Sequence, residues 1–470
     1  MSRSELVFPA SVVEELKEHL IREDGMERFA VGYCGKSSDR FLAADIHPVS
    51  DEDLAQQGRG KCRPNHDLET EHVNQCVDLG KHPLFIHSHP FDQNHTGFSS
   101  HDDRIMKRAG QWLKPHFPDT EVLFAVFAQN SVIAGQYNHD TRDIEDIPVD
   151  VVGHWRLDDQ LRFQGGFRPN PNLEIDEEVY DRNIRAITEE GQKKISSARV
   201  GVAGVGGLGS IIAEQLVRLG VDDLVIVDPD EVEKSNLPRL QGAKSDDIGR
   251  KKATVVYEYL SSIDPDVEVI PYMDSVQNVP EKLSRCDVLI AGLDNMDSRM
   301  WLNEFSLKHL IPWIDSGVRI EKEEETITGM KGIVQVIAPG VTSCFSCINR
   351  GNQRQAQMDA MRDEDLEADV KDGYIDGSEL SPEPAVVHLN GLIASKAVDQ
   401  FVRMVTGIAK PDSLLEYDGF ESEFSTFDIG SAPQCAVCGS GMLGRGNSTL
   451  NLQDVETVDL GEELGLEDAS

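Results

Sequence analysis

With 470 residues the chain is too long for one ordinary core, and two or three domains are expected. Its formal net charge of −38 repels nucleic acid and anionic membranes, so neither is an expected partner. At 39% hydrophobic and 27% charged residues, with no apolar run long enough to span a bilayer, most of it should be globular. The opening residues lack the basic-then-apolar layout of a secretory signal, and four of the eight cysteines form two CxxC pairs. That usage favours metal binding over disulfides, and a cytoplasmic location is expected. Composition leaves two origins open for the acidity: a solubility device, or a host with high internal salt, where screening over about 3 Å at 1 M tolerates self-repulsion.

Residues 1–150 read as a small α/β unit. A helix is expected over 11–21, an apolar strand from Phe29 to Cys34, and further strands at 83–87 and 122–128. The polar stretch 50–81 reads as loop-rich, and 151–180, with its Gly and Pro-Asn clusters, as a linker. A larger unit, 181–445, begins near Tyr180. In it, strands at 200–203, 224–227, 286–291 and 312–314 alternate with a helix over 210–219, the pattern of a doubly wound, Rossmann-like α/β sheet. Residues 350–384 are polar and acidic without a clear period, which predicts a mobile crossover. A helix over 386–406 should stop at Gly407. After Arg445 no basic residue occurs, so 446–470 reads as a disordered acidic tail.

Gly204, Gly206, Gly207 and Gly209 follow a predicted strand and open a predicted helix. Such glycines allow a tight turn and let backbone N–H groups approach phosphates at the helix N-terminus. Asp228 ends the next strand, where a carboxylate can accept both ribose hydroxyls. These features alone fit a dinucleotide dehydrogenase equally well. The residues that follow discriminate: the run from Asp228 through Asn236 to Arg239, then the segment 248–253 with Lys252, then Leu293, Asp294 and Asn295 up to Arg299. Over 181–445 the chain resembles the ThiF/MoeB/ubiquitin-activating family of adenylyltransferases. The resemblance implies ATP rather than NAD. It gives Asp228 the ribose, Asn236, Arg239 and Lys252 the triphosphate, and Asp294 a Mg²⁺ ion. It also matches Arg182 to Arg185 with the family's RxxR segment, whose second arginine serves a partner subunit's site, implying a homodimer. The residue types suit the chemistry: activating a carboxylate at the α-phosphate is mainly positioning and charge neutralisation, which Arg, Lys and Mg²⁺ supply.

Cys344 and Cys347 pair with Cys435 and Cys438 as two CxxC turns, each able to span one edge of a tetrahedral Zn²⁺. Four sulfurs leave no open position, so the zinc is expected to be structural, as in the resembled family. That family's conjugating members place a nucleophilic cysteine in the crossover, but between Ile348 and Gln434 there is none. Cys34 and Cys286 read as core residues, which leaves Cys62 and Cys76 as the alternative nucleophiles.

His87 and His89 sit at alternate strand positions, which puts both rings on one face. With a downstream carboxylate and a water they would make an open catalytic zinc site. The motif HxHP followed by SxxD resembles the JAMM (Mov34/PAD-1-like) metallopeptidase signature over about residues 20–135. The resemblance gives His87, His89 and Asp102 the zinc, Ser99 the oxyanion, and Glu27 the role of general base. The span from His89 to Ser99 is about two residues longer than is usual in that family, and Ser100/Asp103 is a second register the doubled residues permit. The combined expectation is an enzyme that adenylates the Gly-Gly carboxylate of a ubiquitin-like or sulfur-carrier protein and cleaves peptide or isopeptide bonds. The alternative is ATP-dependent activation of a small-molecule or RNA acceptor, with the N-terminal unit as a substrate-binding module.

Overall fold

The computed structural model describes residues 4–93, 96–157, 162–163, 173–323, 326–348, 353–359, 361, 384–432 and 434–447. The first part runs β1 (Glu5–Pro9), α1 (Ala10–Leu20), β2 (Phe29–Ser37), β3 (Arg40–Leu42), β4 (Ile46–Pro48), β5 (Leu54–Gly58), β6 (Lys61–Pro64), α2 (His66–Asp78), β7 (His82–Ser88), α3 (Ser100–His116), β8 (Leu123–Phe127), β9 (Ser131–Asn138), β10 (Asp143–Ile147), β11 (Val149–Val152) and β12 (Arg162–Phe163). Its main sheet is ordered β10-β9-β8-β7-β2-β3-β1-β11, with β4 on β2 and β12 on β9. The central strands β7 and β8 are almost wholly buried, β8 with five apolar residues and β7 with the apolar run from Pro83 to Ile86, so both faces of this part of the sheet are covered.

Two expectations need correction. The stretch 50–81 is not a loop: it holds the β5–β6 hairpin and the helix α2, whose first turn is closed by the Asn65 side chain accepting from Leu68 N. The predicted linker is also shorter than 151–180. β11 pairs with β1 and β12 with β9, and the next helix starts at Glu177. Most of the remaining connection, together with much of the expected crossover and nearly all of the acidic tail, lies outside the described residues.

The second part runs α4 (Glu177–Ser197), β13 (Arg199–Ala203), α5 (Gly209–Arg218), β14 (Asp223–Val227), α6 (Lys252–Ile263), β15 (Glu268–Tyr272), α7 (Pro280–Leu283), β16 (Val288–Ala291), α8 (Met296–His309), β17 (Trp313–Glu323), β18 (Thr326–Ile337), α9 (Gln353–Asp359), α10 (Val387–Thr406), β19 (Leu414–Asp418) and β20 (Glu423–Phe427). Its sheet is ordered β15-β14-β13-β16-β17-β18-β19-β20. The strands are parallel from β15 to β17 and antiparallel beyond. The order reverses at β13, which opens a crevice at the carboxyl ends of β13 and β16. α10 ends on Gly407 at φ 73°, a left-handed stop that costs glycine little.

The two sheets are joined by packing and by a backbone strap. Val7, Leu42 and Val152 share a buried cluster with Leu310 and Ala338. Just beyond the second CxxC pair, Gly444 N donates to Leu307 O, Gly446 N to Lys308 O and Asn447 N to Lys36 O. A Cβ on Gly35 would lie 2.2 Å from Gly444 O, so only glycine lets the strap lie this close to β2. Among the described residues, no helix is long and apolar enough to cross a membrane.

Candidate functional sites

The crevice at the end of β13 is built around a glycine turn. Gly204 takes φ 78°, and a Cβ on Gly209 would sit 1.8 Å from Gly204 O. A side chain at Gly207 would strike the Arg239 stem at 2.9 Å, so the missing Cβ lets that arginine lie over the turn. Gly206 has open space at its Cβ position. Asp228, buried at the end of β14, accepts from Val205 N at 2.9 Å and Asp230 N at 3.0 Å. One lone pair of each oxygen is thereby used, and the others remain for a ligand. Burial pushes its carboxyl up to about 6, with Lys252 opposing.

Lys252 opens α6 and donates to Asp230 Oδ2 at 2.8 Å. Burial works against its charge, but Asp228, Asp230 and Asp294 together outweigh that and raise its pKa. The sequence reading missed Asp230 as the partner, because the contact links a loop to a helix start 22 residues on. Asn236 is buried and its Oδ1 accepts from Glu233 N, while Arg239 Nη1 donates to Ser235 O. An open cleft of about 470 Å³ is lined by Asp230, Glu233, Ile248, Gly249 and Lys252 among others. Asp294 is exposed in the turn between β16 and α8, and Asp359 of α9 accepts from Met296 N at 2.6 Å beside it. Arg185 is not drawn into this crevice. Its side chain is 77% exposed and pairs with Asp181 on the first half of α4, ahead of a break at Thr188 (φ 71°, ψ 162°).

The four CxxC cysteines converge. Cys344 Sγ lies 3.7 Å from Cys435 Sγ, Cys347 Sγ 3.4 Å from Cys438 Sγ, and all four within 4.8 Å of one another. Disulfides are far shorter, and every described cysteine is free. A zinc tetrahedron with bonds of about 2.3 Å has edges of about 3.8 Å, so the donor set fits that ion. Ala432 N also donates to Cys347 Sγ, as suits a thiolate. Cys62, in β6, is half-buried and its thiol is pushed up to about 12 by burial and the nearby Glu27 charge. Cys76 is buried in α2, and burial raises its thiol too.

In the first sheet, antiparallel pairing sets Phe29 opposite His87, and Glu27, just ahead of β2, lies close enough to His89 and Asp102 for their charges to act on it. His87 Nε2 and His89 Nε2 are 3.3 Å apart; His87 Nε2 lies 3.4 Å from Asp102 Oδ1 and His89 Nε2 3.4 Å from Asp102 Oδ2. One ligand atom from each of the three residues lies within 4.8 Å of the others, a donor set of two imidazoles and a carboxylate that suits a zinc ion with bonds of about 2.05 Å. Asp102, not Asp103, faces the imidazoles; Asp103 pairs with Lys107. Ser99 is the N-cap of α3: its Oγ accepts from Asp102 N, and its N donates to Asp102 Oδ2. Ser99 therefore keeps its hydroxyl hydrogen to donate. Burial pushes Glu27 up to about 7, with the Asp102 and Asp92 charges adding and His89 opposing.

Residues 180–437 match the ThiF family. The SAMP-activating enzyme E1 of Haloferax volcanii is 30% identical over 289 residues, 57% of this chain and 92% of that enzyme. The sulfur carrier protein ThiS adenylyltransferase of Bacillus subtilis is 33% identical over 166 residues, 34% of this chain and 47% of its own length. The ubiquitin-like modifier-activating enzyme 5 of Drosophila willistoni is 32% identical over 169 residues, 33% of this chain and 40% of its own. A doubly wound sheet with a glycine turn at its switch point defines a nucleotide-site architecture. The chain belongs to the ThiF family.

Proposed function

We propose that residues 181–445 adenylate the C-terminal carboxylate of a small ubiquitin-like or sulfur-carrier protein ending in Gly-Gly. Residues 1–150 act as a zinc-dependent peptidase of the JAMM type on the same partner. The observation that carries the adenylation half is the convergence of Lys252, Asp230 and Asp228 on a glycine turn at the sheet's switch point. The names of the ThiS-adenylating and ubiquitin-like-activating relatives support the substrate class. The carrier carboxylate attacks the α-phosphate of ATP, forming an acyl-adenylate and releasing pyrophosphate. Asp228 holds the ribose through its unused lone pairs, Asn236, Arg239 and Lys252 hold the phosphates, and Asp294 would hold a Mg²⁺ ion, which would neutralise phosphate charge.

The peptidase half rests on the cluster of His87, His89 and Asp102, with Glu27 near enough to feel the His89 and Asp102 charges. A zinc ion held there would supply Lewis acidity at the scissile carbonyl. Glu27, with a pKa of about 7, takes a proton from the attacking water and returns it to the leaving amine, while Ser99 donates to the developing oxyanion. Cleavage exposes a Gly-Gly carboxylate and adenylation consumes one, which gives the fused units a shared substrate. Exposed Arg185 serves a second copy's crevice in a homodimer. The test is to supply a carrier precursor extended beyond Gly-Gly, with ATP and Mg²⁺. The expected result is release of the extension followed by pyrophosphate, the first lost in Glu27→Gln and the second in Asp294→Ala. Pyrophosphate release from the uncleaved precursor would contradict the coupling. Mixed dimers of Arg185→Ala and Asp294→Ala chains should partly recover activity, and their failure to do so would contradict action across the dimer.

A further inference from the structure

We infer that Thr96 and Asp92 form a hydrogen-bonded relay that fixes the tautomer and aim of His89, making them positioning residues for the zinc site. This inference rests on the metal reading of His87, His89 and Asp102. On the side of His89 facing away from the cluster, Nδ1 lies 3.1 Å from Thr96 Oγ1, and Thr96 Oγ1 donates to Asp92 Oδ2 at 2.8 Å. Asp92 Oδ2 is itself 3.4 Å from His89 Nδ1. The direction of these bonds settles the proton. A carboxylate only accepts, so the single hydroxyl hydrogen of Thr96 goes to Asp92. Thr96 then has only lone pairs to offer the imidazole, so Nδ1 must carry the hydrogen. The lone pair of His89 is therefore on Nε2, directed at the shared point where the His87 nitrogen and Asp102 oxygens converge.

The relay is held in place by the neighbouring β8–β9 turn. His89 N donates to Phe127 O, Gln129 N to Asp92 O, and the Gln129 side chain to Pro90 O. These bonds fix the backbone of 89–92, and with it His89 and Asp92, against the sheet.

The test is zinc affinity of the full-length protein by chelator competition, restricted to the zinc that His87→Ala removes. Thr96→Val keeps the shape but removes the acceptor, and Asp92→Ala removes the end of the chain. Each should weaken that zinc about 10–100-fold, the usual cost of losing an outer partner, with thermal midpoints unchanged. Thr96→Ser, which keeps the hydroxyl, should restore it. With cobalt in the same site, Thr96→Val should also shift the visible absorption bands. Wild-type affinity and spectrum in Thr96→Val, with His87→Ala still losing its zinc, would overturn the relay and leave the metal reading intact. If wild type holds no zinc that His87→Ala removes, the metal reading fails and takes the relay with it.

Discussion

Ser37 Oγ and His309 Nδ1 share a buried hydrogen bond of 2.7 Å that joins the end of β2 to the end of α8, across the junction of the two sheets. Burial, with the Arg40 and Lys308 charges, holds His309 at about 4 against an ordinary 6.5, so it is neutral at physiological pH. With a depressed folded-state pKa, this stability is complete above about 6.5 and is lost as pH falls toward about 4. Burial lowers His72 and His82 to about 4 as well, so the same window applies to them. Urea unfolding should therefore show stability falling steeply over that window. His309→Gln should lose about 2–3 kcal/mol less across it. A variant as acid-sensitive as wild type would contradict this role for His309.

Asp228 and Asp294 should separate on stability while agreeing on activity. Asp228 is buried and satisfies two backbone N–H groups, so Asp228→Ala should cost about 1–3 kcal/mol of folding stability as well as ATP use. Asp294 is exposed, and Asp294→Ala should leave the unfolding midpoint unchanged while ending turnover. Equal destabilisation by both, in parallel denaturation curves, would show that the 294 turn is structural.

Two zinc ions per chain are expected, one labile and one tight. His87→Ala should lose the labile one alone. Cys435→Ser should lose the tight one and destabilise the fold, since structural zinc contributes on the order of 10 kcal/mol in small zinc domains. Because the 444–447 strap follows Cys438 directly, that variant should also become sensitive to limited proteolysis between the sheets. Metal analysis finding one zinc, unchanged in His87→Ala, would remove the peptidase half of the proposal.

Much of the second sheet was legible because its inner strands are short, continuous apolar runs. Those runs, at 200–203 and 224–227, lie buried in β13 and β14, and the Gly407 stop falls where the sequence places it. The helix α2 was not legible, since only His72, Val73 and Cys76 of its 13 residues are buried and the rest read as solvent-facing polarity. The His87/His89 pair was legible from its alternate spacing and the four cysteines from their CxxC pairs, while Asp102 came only from the resemblance to the JAMM signature. Asp230, Asp92 and Thr96 were not legible, since their roles come from loop contacts with no period to announce them. The choice between Asp102 and Asp103 likewise needed the orientation of α3.

No carrier thioester should form on this enzyme. Cys62 and Cys76 are held as thiols by burial, and the span from Ile348 to Gln434 contains no cysteine. After incubation with ATP and carrier, hydroxylamine should capture the carrier as its hydroxamate, and non-reducing gels should show no enzyme–carrier band. A dithiothreitol-sensitive adduct lost in Cys62→Ser or Cys76→Ser would contradict this.

The most direct measurement of the adenylation claim is carrier-dependent exchange of labelled pyrophosphate into ATP by the wild-type protein with Mg²⁺. The account predicts exchange only when a carrier ending in a free Gly-Gly carboxylate is present, its loss when that carboxylate is amidated, and its loss in Asp294→Ala. Exchange that proceeds equally with the amidated carrier, or persists in Asp294→Ala, would contradict it.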